Sequence, residues 1–338
     1  SVGYGIGDKT ETVNGYCSPK DFETMMQLTY LTFTAPRRDD EAFASYKNRN
    51  KAALLNQEMN PNVAFSDSIT FALQMGHPRT IRMKADMIDK MDYDKILAMY
   101  QDRYKDASDF TFILVGNVDV ESMKPLIAEY LGALPAIDRK ESFKDNKIEY
   151  RKGVYKNEFV REQETAKASN FVCFIGTCKY DLKNSILQDM TCQIMDLVYT
   201  EKVREDEGGT YGVYVGGNLS KYPKEIAGIQ IVFDTAPSKR EKLMKIIFAE
   251  IEHISKEGPS QANLNKVKEF MLKKHAEDLK ENSYWMGSID EYLFTGMNPI
   301  KDYEQTVNSI TAKDIQKFAD DLFKQKNEVE VSMISPDK

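Results

Sequence analysis

Apolar residues recur at three- and four-residue intervals along most of the chain, the period of a helix with one buried face. Ser18-Pro19 opens the first such stretch with a cap residue and a first-turn proline. Phe22, Met25, Met26, Leu28, Tyr30 and Leu31 make its apolar face, and it stops near Pro36. The same period predicts helices from Asp40 through Leu54, from Asp67 to Met75, from Asp92 through Tyr104, and from Asp119 through Leu131. Asn60-Pro61-Asn62 reads as a loop. Phe110–Val115 breaks the helical period and reads as a buried strand ending at Gly116-Asn117.

Residues 135–152 are polar, charged and aperiodic, and form the best linker. Beyond them, Val154–Thr165 is extended and Ala168–Gly176 is a strand. Asp181 opens a long helix carrying Ile186, Met190, Ile194, Leu197 and Val198, which runs to Glu205. Tyr211–Gly216 and Ile226–Phe233 form a strand pair. Helices follow at Pro237–Gly258, Gln261–Lys280, Ser283–Phe294 and Asp314–Phe323, and Val329–Ile334 is a closing strand.

An internal repeat organises these elements. Ser18-Pro19-Lys20 matches Pro237-Ser238-Lys239, the segment around Ile96 matches that around Ile315, and Phe110–Val115 matches Val329–Ile334. The offset is 218 for Pro19 against Pro237 and 219 for Ile96 against Ile315. The expected fold is α+β: two repeated units, each a mainly antiparallel sheet covered by helices on one face. Residues 1–134 form the first unit, 135–152 the linker and 153–338 the second. Measured against the second, the first lacks its opening strands and helix, and the second lacks the helix that Asp119 opens in the first. Ser1–Gly7 has neither an initiator Met nor the features of a signal peptide, and reads as a chain entered in mid-sequence.

Composition narrows the chemistry. The 338 residues carry a net charge of −7, with 41% hydrophobic and 29% charged residues, as in a soluble globular protein. That balance argues against non-specific binding to nucleic acid or acidic membranes, and no apolar run reaches the ~20 residues of a membrane span. Periplasmic and cytoplasmic settings both fit. None of Cys17, Cys173, Cys178 and Cys192 forms a C-x-x-C pair. Cys173 and Cys178, five apart in a strand-like run, point to opposite faces. Buried thiols fit best, and the count also allows one disulfide. His77, His253 and His275 are not within helical ligand spacing of one another, and H-x-x-E-H is absent. A thiol enzyme built on Cys17 or Cys178 finds no His near either in sequence.

One segment carries candidate chemistry. In Val203–Tyr214 a long helix ends in charges, the chain turns at Gly208-Gly209, and a Tyr-rich strand begins. Arg204 and Tyr211 lie seven apart across that turn. Arg presents planar donors to a carbonyl or carboxylate, and a Tyr hydroxyl can donate to a developing oxyanion. The same residues also suit a plain structural role, Arg204 at a helix C-terminus and Tyr211 at a sheet edge. Elsewhere Glu158, Glu162 and Glu164 suit a solvated strand face, and His275 with Glu277 suits a surface pair. Trp285 with Tyr284, Tyr292 and Phe294 suits the core or a contact between units, because aromatics at helical spacing pack.

Arg204…Tyr211, at a helix end and a strand start, resembles the Arg/Tyr element of pitrilysin- and insulinase-type (inverted-zincin) zinc metallopeptidases. Cys17–Glu23 with Tyr30–Arg37 resembles their inner-domain helix, and Phe112–Asp119 is similar to their strand followed by Gly-Asn-Val. The resemblance implies two clamshell halves around a peptide chamber, with the zinc motif H-x-x-E-H in the first unit of the first half. This chain then corresponds to the C-terminal, non-zinc half. Tyr211 would hydrogen-bond the scissile carbonyl or oxyanion, and Arg204 would hold substrate backbone. The partners implied are peptide substrates and a zinc-bearing N-terminal half, on the same polypeptide or a separate subunit. Zinc would be the cofactor of the complete enzyme, with no ligand in this chain, and the chain alone would be inactive. The alternative is a non-catalytic scaffold or protein-interaction subunit of the same fold.

Overall fold

Local chemistry sets most element boundaries. A computed structural model of the chain describes residues 1–205 and 210–336, with the backbone alone at 203–205, 210 and 211. Strands β1 (Val2–Ile6) and β2 (Glu11–Gly15) form an antiparallel hairpin. A 3-10 turn at Pro19–Asp21 leads into α1 (Phe22–Thr34), and α2 spans Asp40–Glu58. Helix α3 (Pro61–Gln74) begins earlier than its hydrophobic pattern suggests. Asn60 Oδ1 accepts the Asn62 N–H at 2.9 Å and Pro61 fills the first turn, so the expected loop is a helix start. Helices α4 (Ala85–Asp89), α5 (Tyr93–Tyr104) and α6 (Val120–Tyr130) follow. Asp92 caps α5 as its position predicts, accepting from the Lys95 N–H at 3.1 Å.

The second half runs β3 (Val154–Val160), β4 (Ala168–Thr177), α7 (Leu182–Tyr199), β5 (Thr210–Ser220) and β6 (Ile226–Thr235). Then come α8 (Arg240–Lys256), α9 (Gln261–Asp278), α10 (Asn282–Thr295), α11 (Tyr303–Ser309), α12 (Ala312–Phe323) and β7 (Glu328–Ile334). Neither α4 nor α11 stands out in the sequence, because each is too short to show a period. Among the described residues, no helix is long and apolar enough to cross a membrane.

The repeat holds at the level of elements. The hairpin β1–β2 corresponds to β5–β6, and the Pro19 turn with α1 corresponds to the Pro237 turn with α8. Helices α2 to α5 correspond in order to α9 to α12. Tyr93 against Ala312 and Tyr104 against Phe323 both give an offset of 219.

Contacts gather the chain into two units. One comprises Ser1–Asn56 and Met83–Lys144, the other Gln57–Arg82 and Asp145–Lys338. Residues 57–82 precede the linker in sequence, yet they make their contacts in the second unit.

In the first unit, Phe22, Met26 and Met123 form one apolar cluster, and Phe33, Tyr104 and Leu134 another. The wholly buried Tyr104 places its hydroxyl 2.8 Å from Gly5 O and 3.0 Å from Thr12 O, which ties α5 to the hairpin. Phe110–Val115 is not a strand, contrary to its sequence pattern. A strand needs a neighbour for its N–H and C=O groups. Its counterpart β7 lies between β3 and β4, whereas the described strands of the first unit are β1 and β2 alone. Its apolar side chains pack instead, Leu114 with the first cluster and Phe110 with the second.

The second unit is built on a five-stranded sheet in the order β3-β7-β4-β6-β5. The β3–β7 pair is parallel and the other pairs are antiparallel. Val172, Phe174, Ile229, Ile231, Val213 and Val215 face the main core, with Ile186, Met190 and Ile194 of α7, Ile247 of α8 and Phe318 of α12. Phe171, Cys173, Ile175, Val329 and Val331 belong to the opposite face, where Ala72 is buried and Phe65, Ile69 and Leu73 of α3 pack. Alternation along β4 thus sends Val172 and Phe174 one way and Cys173 the other. Both faces of β4 are covered, which is why Ala168–Ile175 is a continuous buried run.

Candidate functional site

Helix α7 is fixed at its start, along its length and at its end. Asp181 caps it, accepting from the Asn184 N–H at 2.9 Å. The buried Gln188 donates Nε2 to Gly228 O at 3.2 Å. Gly217 of β5 lets this approach happen: a Cβ there would lie 2.5 Å from Gln188 Nε2 and 2.8 Å from Gly228 O. Further on, Asp196 Oδ1 accepts the Val215 N–H at 3.3 Å, so helix and strand are tied at a second point.

The C-terminal turn is anchored from α8. Tyr199 is fully buried and donates its hydroxyl to Ile247 O at 3.0 Å. Burial, with Glu250 nearby, holds that phenol neutral far above its ordinary range. A π-helical turn, Thr200–Glu205, continues α7. Within it, Lys202 Nζ lies 2.6 Å from Glu250 Oε2, whose side chain is only 5% exposed. A buried carboxylate needs such a counter-charge, so the pair fixes where the turn leaves the helix.

Arg204 lies in that turn and Tyr211 is the second residue of β5. Their side chains, and residues 206–209, where the sequence predicts a turn, lie outside the described residues. What is described is the frame around them. The β5–β6 register shifts between Thr210 and Val213, and Gly212 adopts φ +151°. Such a bulge changes the direction of the strand where it begins, a device used to re-aim side chains. β5 is also an edge strand of the sheet.

The other sequence candidates fall out differently. His275 is not a surface residue paired with Glu277. It is 5% exposed, with Nδ1 2.9 Å from the Tyr284 hydroxyl and its ring stacked on Tyr303 at 4.2 Å. The helical face that buries it closes only when α10 and α11 fold back over α9, which periodicity within α9 does not reveal. Trp285, Tyr292 and Phe294 stay partly exposed, Trp285 donating to Leu279 O and Phe294 meeting Tyr222 edge to face. Glu158 pairs with Arg240 at 2.8 Å and remains about half exposed. All four cysteines are free, Cys173 and Cys192 buried. Lys202, Glu250 and Asp196 escape notice in the sequence because nothing local marks a charged residue as the tether of a neighbouring element.

Residues 90–271, more than half of the chain, match the family described as Peptidase M16 inactive domain. The chain belongs to the peptidase M16 family. This is the group that the Arg/Tyr element and its companion segments resemble. The chain is 26% identical over 289 residues to a zinc protease PQQL-like protein of Arabidopsis thaliana, covering 80% of this chain and 30% of that protein. It is 21% identical over 303 residues to a probable zinc protease PqqL of Haemophilus influenzae, covering 86% of this chain and 32% of that one. The crystal structure of the periplasmic protease PqqL from Escherichia coli shares the fold, with a TM-score of 0.83 at 15% identity. That match covers 99% of this chain and 37% of the PqqL chain. The M16 chain thus spans about a third of the length of these relatives. Among the described residues, no group of three or more His, Cys, Asp and Glu side chains is placed to hold a metal ion.

Proposed function

We propose that this chain is the C-terminal, non-zinc half of a zinc metalloendopeptidase, and that it binds peptide and completes an active site whose metal is held by an N-terminal half. The observation that carries the reading is the element of α7, its π-helical extension and β5 in a chain of the M16 family, with Arg204 and Tyr211 seven residues apart in sequence between them. The named zinc proteases that are similar to it, each about three times its length, support the same reading.

In this reading an extended peptide pairs along the edge of β5, where backbone N–H and C=O groups give affinity without demanding one sequence. Arg204 forks its donors onto peptide backbone and fixes the register. The Tyr211 hydroxyl donates to the scissile carbonyl oxygen as negative charge builds on it. The tether of Lys202 to Glu250 and the register shift between Thr210 and Val213 support this reading, since they fix the backbone on either side of the element.

The test is Tyr211→Phe in the complete enzyme, this half together with the zinc-bearing half. Loss of one oxyanion donor lowers kcat by about a hundredfold, with KM changed far less. Arg204→Ala raises KM instead. Turnover unchanged in Tyr211→Phe would remove the proposed role and leave the scaffold reading in its place.

A further inference from the structure

A cavity of about 310 Å3 opens among α7, α9, α10 and α11, wholly inside the second unit. Its volume is at the small end of ligand pockets, room for one side chain or a small organic molecule. The α7 wall is a polar stripe along one side of the helix: Ser185, Asp189 and Gln193, spaced one turn apart. The α9 wall brings Lys274, His275 and Asp278, and α10 and α11 bring Tyr284 and Tyr303.

The charges on these walls do not balance. Lys274 is taken up by Asp278, with which it forms an ion pair along α9. His275 is held by the Tyr284 hydroxyl and stacked on Tyr303. Asp189 has neither ion-pair nor hydrogen-bond partner among the described residues, though it lines the cavity and is exposed to solvent. The protein packed behind it pushes its carboxyl up to about 6. At neutral pH the cavity therefore holds one uncompensated negative charge among aromatic rings. Aromatic faces attract cations and repel anions, which adds to the same preference. A metal ion is a poor match, since among the described residues no three His, Cys, Asp or Glu side chains are placed to hold one, and Asp278 is already paired with Lys274.

We propose that this cavity binds an alkylammonium or guanidinium group, with Asp189 as its counter-charge and the Tyr303 and Phe270 rings along its apolar stem. The group arrives either as a free small amine or as a Lys or Arg side chain of a peptide. The assignment rests on the cavity and its charges and is independent of the protease reading.

The experiment titrates the 338-residue chain with n-butylamine, with N-acetyl-lysine methylamide and with the neutral N-acetyl-norleucine methylamide, followed by NMR or calorimetry. The amines are expected to bind and the norleucine compound not. Stronger binding of the lysine compound points to a peptide side chain, and stronger binding of butylamine to a free amine. In Asp189→Asn the affinity of the amines is expected to fall by about tenfold or more. In the parent protein it should fall as pH drops through about 6 and Asp189 takes up a proton. Lys274, His275, Asp278, Tyr284 and Tyr303 are unchanged in the variant, so the difference isolates the carboxylate. Equal binding of the norleucine compound, no binding of either amine, or undiminished binding by a folded Asp189→Asn protein would each overturn the assignment.

Discussion

Arg240 is the first residue of α8, and its guanidinium joins three strands of the sheet beneath. Nε lies 3.0 Å from Asn170 Oδ1 of β4 and Nη2 lies 3.0 Å from Ser332 Oγ of β7. Nη1 lies 2.8 Å from Glu158 Oε2 of β3. Asn170 is fully buried and Ser332 is 2% exposed, whereas the Glu158 side chain is 55% exposed. The predicted consequence of Arg240→Met follows from that difference. Methionine keeps most of the apolar stem and removes only the donors. Two buried hydrogen bonds to a charged group are lost, each worth about 1.5 kcal/mol net, and the exposed Glu158 pair adds well under 1 kcal/mol. Ser332 can still donate to Asn170 Oδ1 at 2.9 Å, so the orphaned acceptor is partly relieved. The expected loss is about 2–3 kcal/mol. Arg240→Lys should fall between the two, because one ammonium cannot fork onto both partners. Denaturant unfolding reports this through the single tryptophan, Trp285, which lies in the same unit. The cost of Arg240→Met should shrink when Ser332 is already Ala, since the two residues share one network. A variant within about 0.5 kcal/mol of the parent would refute the role given to the guanidinium.

Two further perturbations test other parts of the fold. Burial pushes the Asp314 carboxyl up, but Lys183 Nζ at 2.8 Å and the Thr311 donors outweigh it and hold it at about 2. Its folded pKa is thus below the unfolded value, so its contribution is present above pH ~4 and is lost as pH falls toward 2. Asp314→Asn should cost about 1–2 kcal/mol at neutral pH, below the full linkage value because the group is partly solvated, and the gap should close on acidification. A gap independent of pH would contradict the assignment. Burial also pushes the Cys173 and Cys192 thiols up to about 12, so neither offers thiolate at neutral pH. Burial pushes Cys178 up as well, to about 11. A thiol reagent applied to the native protein should therefore modify the more accessible Cys17 and Cys178 before the buried Cys173 and Cys192, with Cys178 slow. Labelling of Cys173 and Cys192 as fast as the other two would contradict their burial.

The sequence alone determined the long helices, the strands of the second unit and the repeat that orders them, but not the short α4 and α11 or the start of α3. Each rests on a signal confined to one segment: the periods of Phe22–Leu31 and Ile186–Val198, the caps at Asp92 and Asp181, the unbroken apolar run of β4. The family was also legible locally, since Arg204…Tyr211 and Phe112–Asp119 are short motifs. Three things were decided only in the folded chain. Phe110–Val115 has the composition of a strand but is none, because a ladder needs partners that its own residues cannot supply. Helix α3 lies before the linker in sequence yet packs on the sheet that follows it, so Ala72 shares a core with Cys173 and Val331. His275, polar and helical, became buried because α10 and α11 return across α9. In each case the deciding contact joins residues far apart in the chain, and the hydrophobic pattern of a segment records that a face is buried without recording what buries it.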